Sequence, residues 1–384
     1  MRHPWDSQRF AEGARAAGRD AQVIAVAQAT AIEIKRRNGD LPVILSLGHL
    51  AHLADVNLEM LTDVVARRED PYRVFRVKKR AAPGGAAAPR RFRTICVPEP
   101  RLMRVQRWIA QNILSVVPPH PASFAFQPQK DLVGAAQHHA GCKWLLKMDV
   151  LNFFESITER QVYTVFRSLG YAALISFELA RICTRLHTRA LPPTSIGRSG
   201  RGGILPYDRI VQGHLPQGAP TSPMLANLAV RDLDAKLEAL AEGAGWKYTR
   251  YADDLAFSTA GESSRGRTLA LAALVGRGLT TSELKVNRHK TVVTPPGARK
   301  VLLGVLIDRE RPRVSKEFRN NIETHLYALN HPKIGASAHR SQRGFASIIG
   351  MRKHIAGLIA FAHQVDPSYA RLLYSQFNRI DWSR

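Results

Sequence analysis

WKYTRYADDLAFSTA, Trp246 to Ala260, sets two adjacent carboxylates between apolar and aromatic flanks. Trp246, Tyr248, Tyr251, Leu255 and Phe257 read as two short strands joined by a turn that carries Asp253 and Asp254. Two neighbouring aspartates repel one another when both ionise. A divalent cation offsets that repulsion, so the pair reads as a metal site. Taken alone, an Asp-Asp turn is more often a solvated loop. Two further stretches change the balance.

Upstream, KWLLKMDVLNFFESIT (143–158) is a β-type run over Trp144 to Val150 that reaches Asp149. Phe153-Phe154 and a helix start follow it. Between the acids, GHLPQGAPTSPMLANL (213–228) holds Leu215-Pro216-Gln217-Gly218, then Ser222-Pro223 as an N-cap and N1 pair. This order of strand-Asp with aromatics, LPQG with a helix, and YADD resembles motifs A, B and C of reverse transcriptases. LPQGAPTSP resembles their retron branch. The resemblance covers most of the chain, from about residue 45 onward.

The resemblance implies an α+β right-hand polymerase with fingers, a palm of antiparallel sheet plus helices, and a small helical thumb. The implied division is a helical extension and start of the fingers at 1–70, and fingers at 71–140. A palm with motifs A to E and a basic insertion at 188–213 follows at 141–308, then a thumb at 309–384.

Bulk composition agrees with a polymer substrate. The formal charge of +25 over 384 residues is extreme for an enzyme of small metabolites and suits a polyanion. A hydrophobic content of 45% supports a real core rather than a disordered tail. A basic membrane-surface protein is the competing reading. However, no stretch approaches the ~18 apolar residues of a spanning helix. Ala21 to Ile34 reads as an amphipathic helix running into Lys35-Arg36-Arg37, and MRHPWDSQRF lacks the apolar core of a signal peptide. Cys96, Cys142 and Cys183 are too far apart for a disulfide framework or a zinc spacing. A cytoplasmic protein that needs no membrane is expected.

From Ile44 to Arg68 the apolar spacing predicts two short helices around Asp55-Val56-Asn57. In isolation they resemble a DNA-reading helix-turn-helix; in retron enzymes similar helices begin the fingers. Tyr72–Lys79 and Arg91–Val97 read as paired strands around the loop AAPGGAAAP. Arg101, Arg104 and Arg107 recur at helical spacing beside Trp108, a basic face expected to contact phosphate. Thr158 to Gln161 reads as a capping box for a helix that Gly170 stops. One helix is expected from Pro223 to about Gly243, and 298–308 reads as a strand. Residues 315–380 read as helical and basic.

Residue by residue, the resemblance implies a polymerase site. Asp149, Asp253 and Asp254 would be catalytic, with two Mg2+ ions on Asp149, the Val150 carbonyl, Asp253 and Asp254. Lys290, in LKVNRHKT, matches the motif D lysine that helps protonate the leaving group. RRFRTICVP resembles the first block, where Arg93 matches the residue that contacts the nucleotide triphosphate. Gln217 and Gly218 would line the nucleotide and template pocket. Phe154 matches the steric gate against a ribose 2′-hydroxyl; its bland reading is a core aromatic beside Phe153, and one of the pair is expected in the core. Ala135-Ala136-Gln137-His138-His139 falls where retron enzymes carry Asn-Ala-x-x-His. His139 matches as an RNA contact, Ala135 replaces the Asn, and the bland reading of His139 is a surface histidine. Gly304 matches a Val-Thr-Gly element in which Leu303 replaces the Thr.

The implied partners are deoxynucleotides, a structured non-coding RNA that serves as primer and template, and its DNA product. The product would be branched RNA–DNA (msDNA), set in antiphage defence with an effector or toxin protein. With no RNase H, maturase or endonuclease segment expected in the thumb, host RNase H would trim the template. A group II intron-like or other domesticated reverse transcriptase is the alternative within the enzymes. A non-catalytic RNA-binding scaffold would be marked by loss of an acid, yet all three are present. A DNA-binding regulator built on the N-terminal helix pair would leave roughly 300 residues unexplained.

Overall fold

The computed structural model describes residues 5–78, 92–186 and 212–383. The loop AAPGGAAAP and the basic insertion at 188–213, except Gln212 and Gly213, lie outside the described residues. The chain begins with α1 (Ser7–Ala16), α2 (Ala21–Arg37), α3 (Leu47–Ala54), α4 (Leu58–Val65), β1 (Tyr72–Lys78), β2 (Phe92–Pro98) and α5 (Pro100–Asn112). It continues through α6 (Leu132–His138), β3 (Trp144–Asp149), α7 (Phe153–Ser156), α8 (Glu159–Ser168) and α9 (Ala173–Cys183). Then come α10 (Ser222–Ala229), α11 (Arg231–Gly243), β4 (Lys247–Tyr251), β5 (Asp254–Thr259), α12 (Arg265–Thr281) and β6 (Val292–Thr294). Last are β7 (Val301–Leu302), β8 (Val305–Leu306), α13 (Lys316–Asn330), α14 (Gly335–Arg343), α15 (Ile348–Val365) and α16 (Pro367–Phe377).

Helix starts follow capping chemistry. Asp6, Asp20, Ser46, Asn57 and Ser315 each accept a hydrogen bond from the second or third N–H of the helix they open. Asp55 takes a left-handed φ of 53° between α3 and α4, so the break falls where the sequence places it.

The residues cluster into two compact units, each built from separated segments. The first takes Met1–Phe126, Val150–Lys236 and Gly278–Val286; the second takes Gln127–Asp149, Leu237–Arg277 and Asn287–Arg384. The segment expected as one palm, 141–308, is therefore shared between the two.

In the first unit β1 and β2 form an antiparallel ribbon, from Tyr72 opposite Pro98 to Lys78 opposite Phe92. α5 buries Leu102, Val105, Gln106 and Ile109 along one stripe. The expected capping box is present on α8, whose Val162, Val165 and Phe166 are buried. Motif B departs by one residue: Thr221 is the N-cap, and Ser222 instead donates to the Pro216 carbonyl at 2.7 Å. The single helix expected from Pro223 is two, α10 and α11, kinked at Val230 (φ −103°, ψ 14°). Val230 N still donates to Ala226 O, and Asp234 N donates to Val230 O. Hydrogen bonding thus runs through the kink, and the apolar period gives no sign of it.

In the second unit one four-stranded antiparallel sheet has the order β4-β5-β3-β6. β7 and β8 form a small hairpin where one strand was expected, because Leu303 (φ 50°) and Gly304 (φ 86°) both take left-handed backbone. That is the geometry of a two-residue turn matched to strand twist. α13 to α16 share a core of Ile322, Leu326, Met351, Ile355, Ile359 and Leu373. Among the described residues no single helix is long and apolar enough to cross a membrane.

Candidate active site

The YADD stretch is a tight hairpin. Tyr251 pairs with Asp254, leaving Ala252 and Asp253 as a two-residue turn, with Ala252 at φ 55°. Behind it Arg250 is 1% exposed and donates to the Ala252 carbonyl at 3.2 Å, which fixes the turn. The β3–β5 register sets Asp149 directly opposite Asp254. Like charges on opposed residues of an antiparallel pair are destabilising. Burial first, then the charges of Asp253 and Asp149, raise the Asp254 carboxyl to about 6 against the pull of Lys290 and Lys147. Asp254 remains open to solvent, which screens part of this repulsion.

Asp149 is 3% exposed and fully engaged. Asn287 Nδ2 donates to Oδ1 at 2.7 Å, Lys290 Nζ to Oδ2 at 2.5 Å, and Asn287 N to the Asp149 carbonyl at 2.8 Å. Burial works to lower the Lys290 pKa. The hydrogen bond to Asp149 and the three aspartate charges outweigh it and hold the ammonium above its ordinary value. Lys147, on β3, is lowered by burial against the pull of Asp254, and it donates to the Val301 carbonyl at 2.9 Å. Among the described residues no three His, Cys, Asp or Glu side chains converge as a ready-made cation cage. The donor chemistry nonetheless fits a hard cation: oxygen ligands only, with repulsion that raises one of them. Asp149, Asp253, Asp254 and Lys290 therefore come together in one unit, whereas the sequence reading had not given Asn287, Lys147 and Arg250 roles. Only Asn287 carried a signal, its place in the motif D block.

All the remaining expected residues except His139 belong to the first unit. Gly218 has φ 116°, and a Cβ there would meet the Cys96 carbonyl oxygen and Ile95 Cγ2 at 3.0 Å. The Gln217 carbonyl accepts from Cys96 N at 2.8 Å, so the LPQG turn is pinned onto β2. Arg93 is exposed two residues from Ile95, on the same face of that strand. One ring of the aromatic pair is in the core: Phe153 is 4% exposed, whereas Phe154 is half-buried with its ring centroid 6.1 Å from that of Phe126. Val150 is buried and bridged to Val286.

Arg101, Arg104 and Arg107 are all exposed on α5, and Arg104 is held by Asp55 at 2.9 Å. His139 overturns its expectation. It is 1% exposed, with Nδ1 2.6 Å from Ser258 Oγ and Nε2 2.8 Å from Thr249 Oγ1. Burial first, then the charges of His138 and Lys247, push its pKa down to about 3. It is a neutral tie between the 139 loop and the β4–β5 hairpin, with no ring nitrogen left for RNA.

The family model for reverse transcriptase (RNA-dependent DNA polymerase) matches residues 77–307. The retron Ec86 reverse transcriptase of Escherichia coli is 28% identical over 90% of this chain and 92% of its own length. The retron Mx65 and Mx162 reverse transcriptases of Myxococcus xanthus are 31% and 29% identical over 79% and 75% of this chain. The chain spans 63% and 58% of those two relatives. With the opposed carboxylates of the antiparallel sheet, the pinned LPQG turn and the helical thumb in place, this chain belongs to the reverse transcriptase family, as a retron-type RNA-directed DNA polymerase with the α+β right-hand fold.

Proposed function

We propose that the protein copies part of a structured non-coding RNA into DNA that stays joined to that RNA, and that it uses two magnesium ions to do so. The observation that carries this reading is the register that opposes Asp149 and Asp254 beside the Asp253 turn. Asp149, Asp253 and Asp254, with the Val150 carbonyl, are the groups proposed to hold the ions. Bound there, magnesium supplies charge neutralisation for the attacking hydroxyl and the leaving pyrophosphate. Lys290, whose ammonium form its carboxylate neighbours favour, is proposed to hold or donate a proton. Asn287 orients Asp149, and Arg250 fixes the turn that presents Asp253. Gln217, Gly218, Arg93 and Phe154 are proposed to receive the deoxynucleotide. The charge of +25 supports a retained nucleic acid.

Similarity to the retron relatives supports priming from an RNA 2′-hydroxyl, a branched msDNA product, trimming by host RNase H, and a setting in antiphage defence with an effector protein. A cytoplasmic location belongs to the same proposal. The test isolates the protein with its bound nucleic acid and treats it with RNase A, then with an enzyme that cuts 2′–5′ linkages. A mobility shift of the DNA after debranching is expected. DNA that carries no RNA remnant, or that debranching leaves unchanged, rules out the branched product. Asp253→Asn is expected to abolish magnesium-dependent synthesis and to leave RNA binding intact.

A further inference from the structure

A pocket of about 450 Å³ in the second unit lies between Asp254 and the β7–β8 hairpin. Lys147, His289 and Lys290 line it against the single carboxylate of Asp254, and Leu255, Leu302 and Leu303 give it an apolar wall. It shares Asp254 and Lys290 with the carboxylate cluster and extends beyond it. Two of its residues are not explained by that cluster. Lys147 is half-buried and forms no ion pair among the described residues. Of the three donors of its ammonium, one goes to the Val301 carbonyl at 2.9 Å, and the others are left for the pocket. A cation drawn out of water without a counter-ion is costly, and an anion arriving beside it offsets that cost. Leu303 sets an apolar residue in left-handed backbone, φ 50°, on the wall of the same pocket.

Lys290 is committed to Asp149, so Lys147 and the exposed His289 are the groups with donors to give. The Asp254 charge opposes an anion here, and a cation on the carboxylates removes that opposition. The chemistry of priming says which anion fits. When a 3′-hydroxyl attacks, the vicinal position of its ribose carries only a hydroxyl or a hydrogen. When a 2′-hydroxyl attacks, the vicinal 3′ oxygen stays esterified to the next nucleotide. A phosphate must then be accommodated immediately beside the reacting oxygen, where an ordinary primer end has none. We propose that this pocket receives that phosphate, with Lys147 as its main donor, His289 as a second, and the ribose against Leu303. The assignment rests on the 2′-priming reading above and names the residues that admit a branching nucleotide in place of an ordinary 3′ end.

The test uses the full chain, stripped of nucleic acid at high salt, with calcium replacing magnesium so that binding is read without extension. The probes are two labelled RNA duplexes with one recessed end, identical except that this end bears a 3′-phosphate in one and a 3′-hydroxyl in the other. Fluorescence anisotropy should show the phosphate end bound roughly tenfold more tightly, the scale of a hydrogen bond between charged groups. Lys147→Met keeps the apolar stem and should abolish that preference while leaving affinity for the hydroxyl end unchanged; Lys147→Arg should keep the preference. His289→Ala, at an exposed position, should reduce it. In magnesium, the KM for deoxynucleotides should not move in these variants. Equal affinity of the wild type for the two ends, or equal losses for both ends in Lys147→Met, would overturn the assignment. So would a raised KM for deoxynucleotides with the end preference intact, which would give the pocket to the incoming triphosphate. If Lys147→Met fails to fold, a full preference retained by His289→Ala overturns it. Isolated nucleic acid that debranching leaves unchanged defeats the 2′-priming reading itself, whatever the binding shows.

Discussion

Lys290 reaches Asp149 across 2.5 Å, an ion pair between residues 141 positions apart in the chain. A carboxylate partner that raises the lysine pKa keeps the ammonium charged throughout the neutral range. Lys290→Met should therefore lower kcat by about a hundredfold, the scale of a lost proton donor, with a smaller change in KM. Lys290→Arg keeps the charge but cannot release a proton near neutral pH, so it should restore the fold and not the rate. Single-turnover extension separates the two, and a wild-type rate for Lys290→Arg would remove proton donation from this residue.

Phe154 and Phe153 make opposite predictions. Phe154→Ala should raise ribonucleotide relative to deoxyribonucleotide incorporation with little loss of thermal stability, since the ring is half-open. Phe153→Ala should cost about 3–5 kcal/mol of stability, because it empties a buried site. Incorporation ratios and thermal melts report both, and a discrimination change in Phe153→Ala alone would reverse the assignment.

Asp254 gives a pH dependence whose sign is fixed by its environment. Its folded carboxyl titrates near 6, above the ordinary 3.8, so the folded state holds this proton more tightly than the unfolded chain does. Stability contributed by the protonated form is present at low pH and is lost as pH rises from about 4 through 6. Asp254→Asn should thus melt higher than wild type at pH 8 in EDTA, and the difference should vanish below pH 4. Added magnesium should raise the wild-type melt and have less effect on the variant. A wild type that melts above the variant at pH 8 without cation contradicts the proposed repulsion.

Gly218→Ala sets a side chain against the Cys96 carbonyl at a φ of 116°. The expected cost is more than about 1 kcal/mol, with loss of nucleotide affinity because the LPQG turn must lift from β2. Denaturant melts and the KM for deoxynucleotides report the two effects. An unchanged KM at reduced stability confines the role of Gly218 to folding.

The acids were legible because each ends or turns a local apolar pattern, and strand alternation needs only a few neighbouring residues. What held them was not. The grip of Asn287 on Asp149 spans 138 positions, and the partners of His139 lie 119 and 110 positions away in Ser258 and Thr249. Register counted along the motif found the position of His139; burial by the β4–β5 hairpin decided what it does. Leu303 hid the β7–β8 turn, since an apolar residue rarely takes left-handed backbone. Val230 hid the kink because the apolar spacing continues through it.

The alternation of segments between the two compact units constrains synthesis on the ribosome. The first unit takes its last strip from Gly278–Val286, and the second draws on every residue from Asn287 onward. At about 5–20 residues per second, the early helices wait for tens of seconds before either unit can close. Asp149 and Val150, adjacent in the chain, belong to different units, so a break there would take from each a segment it needs. Neither unit corresponds to a continuous fragment. Nascent chains halted before Val286 should bind chaperones and yield to protease along most of their length, whereas a chain of independent modules would release protected pieces one after another.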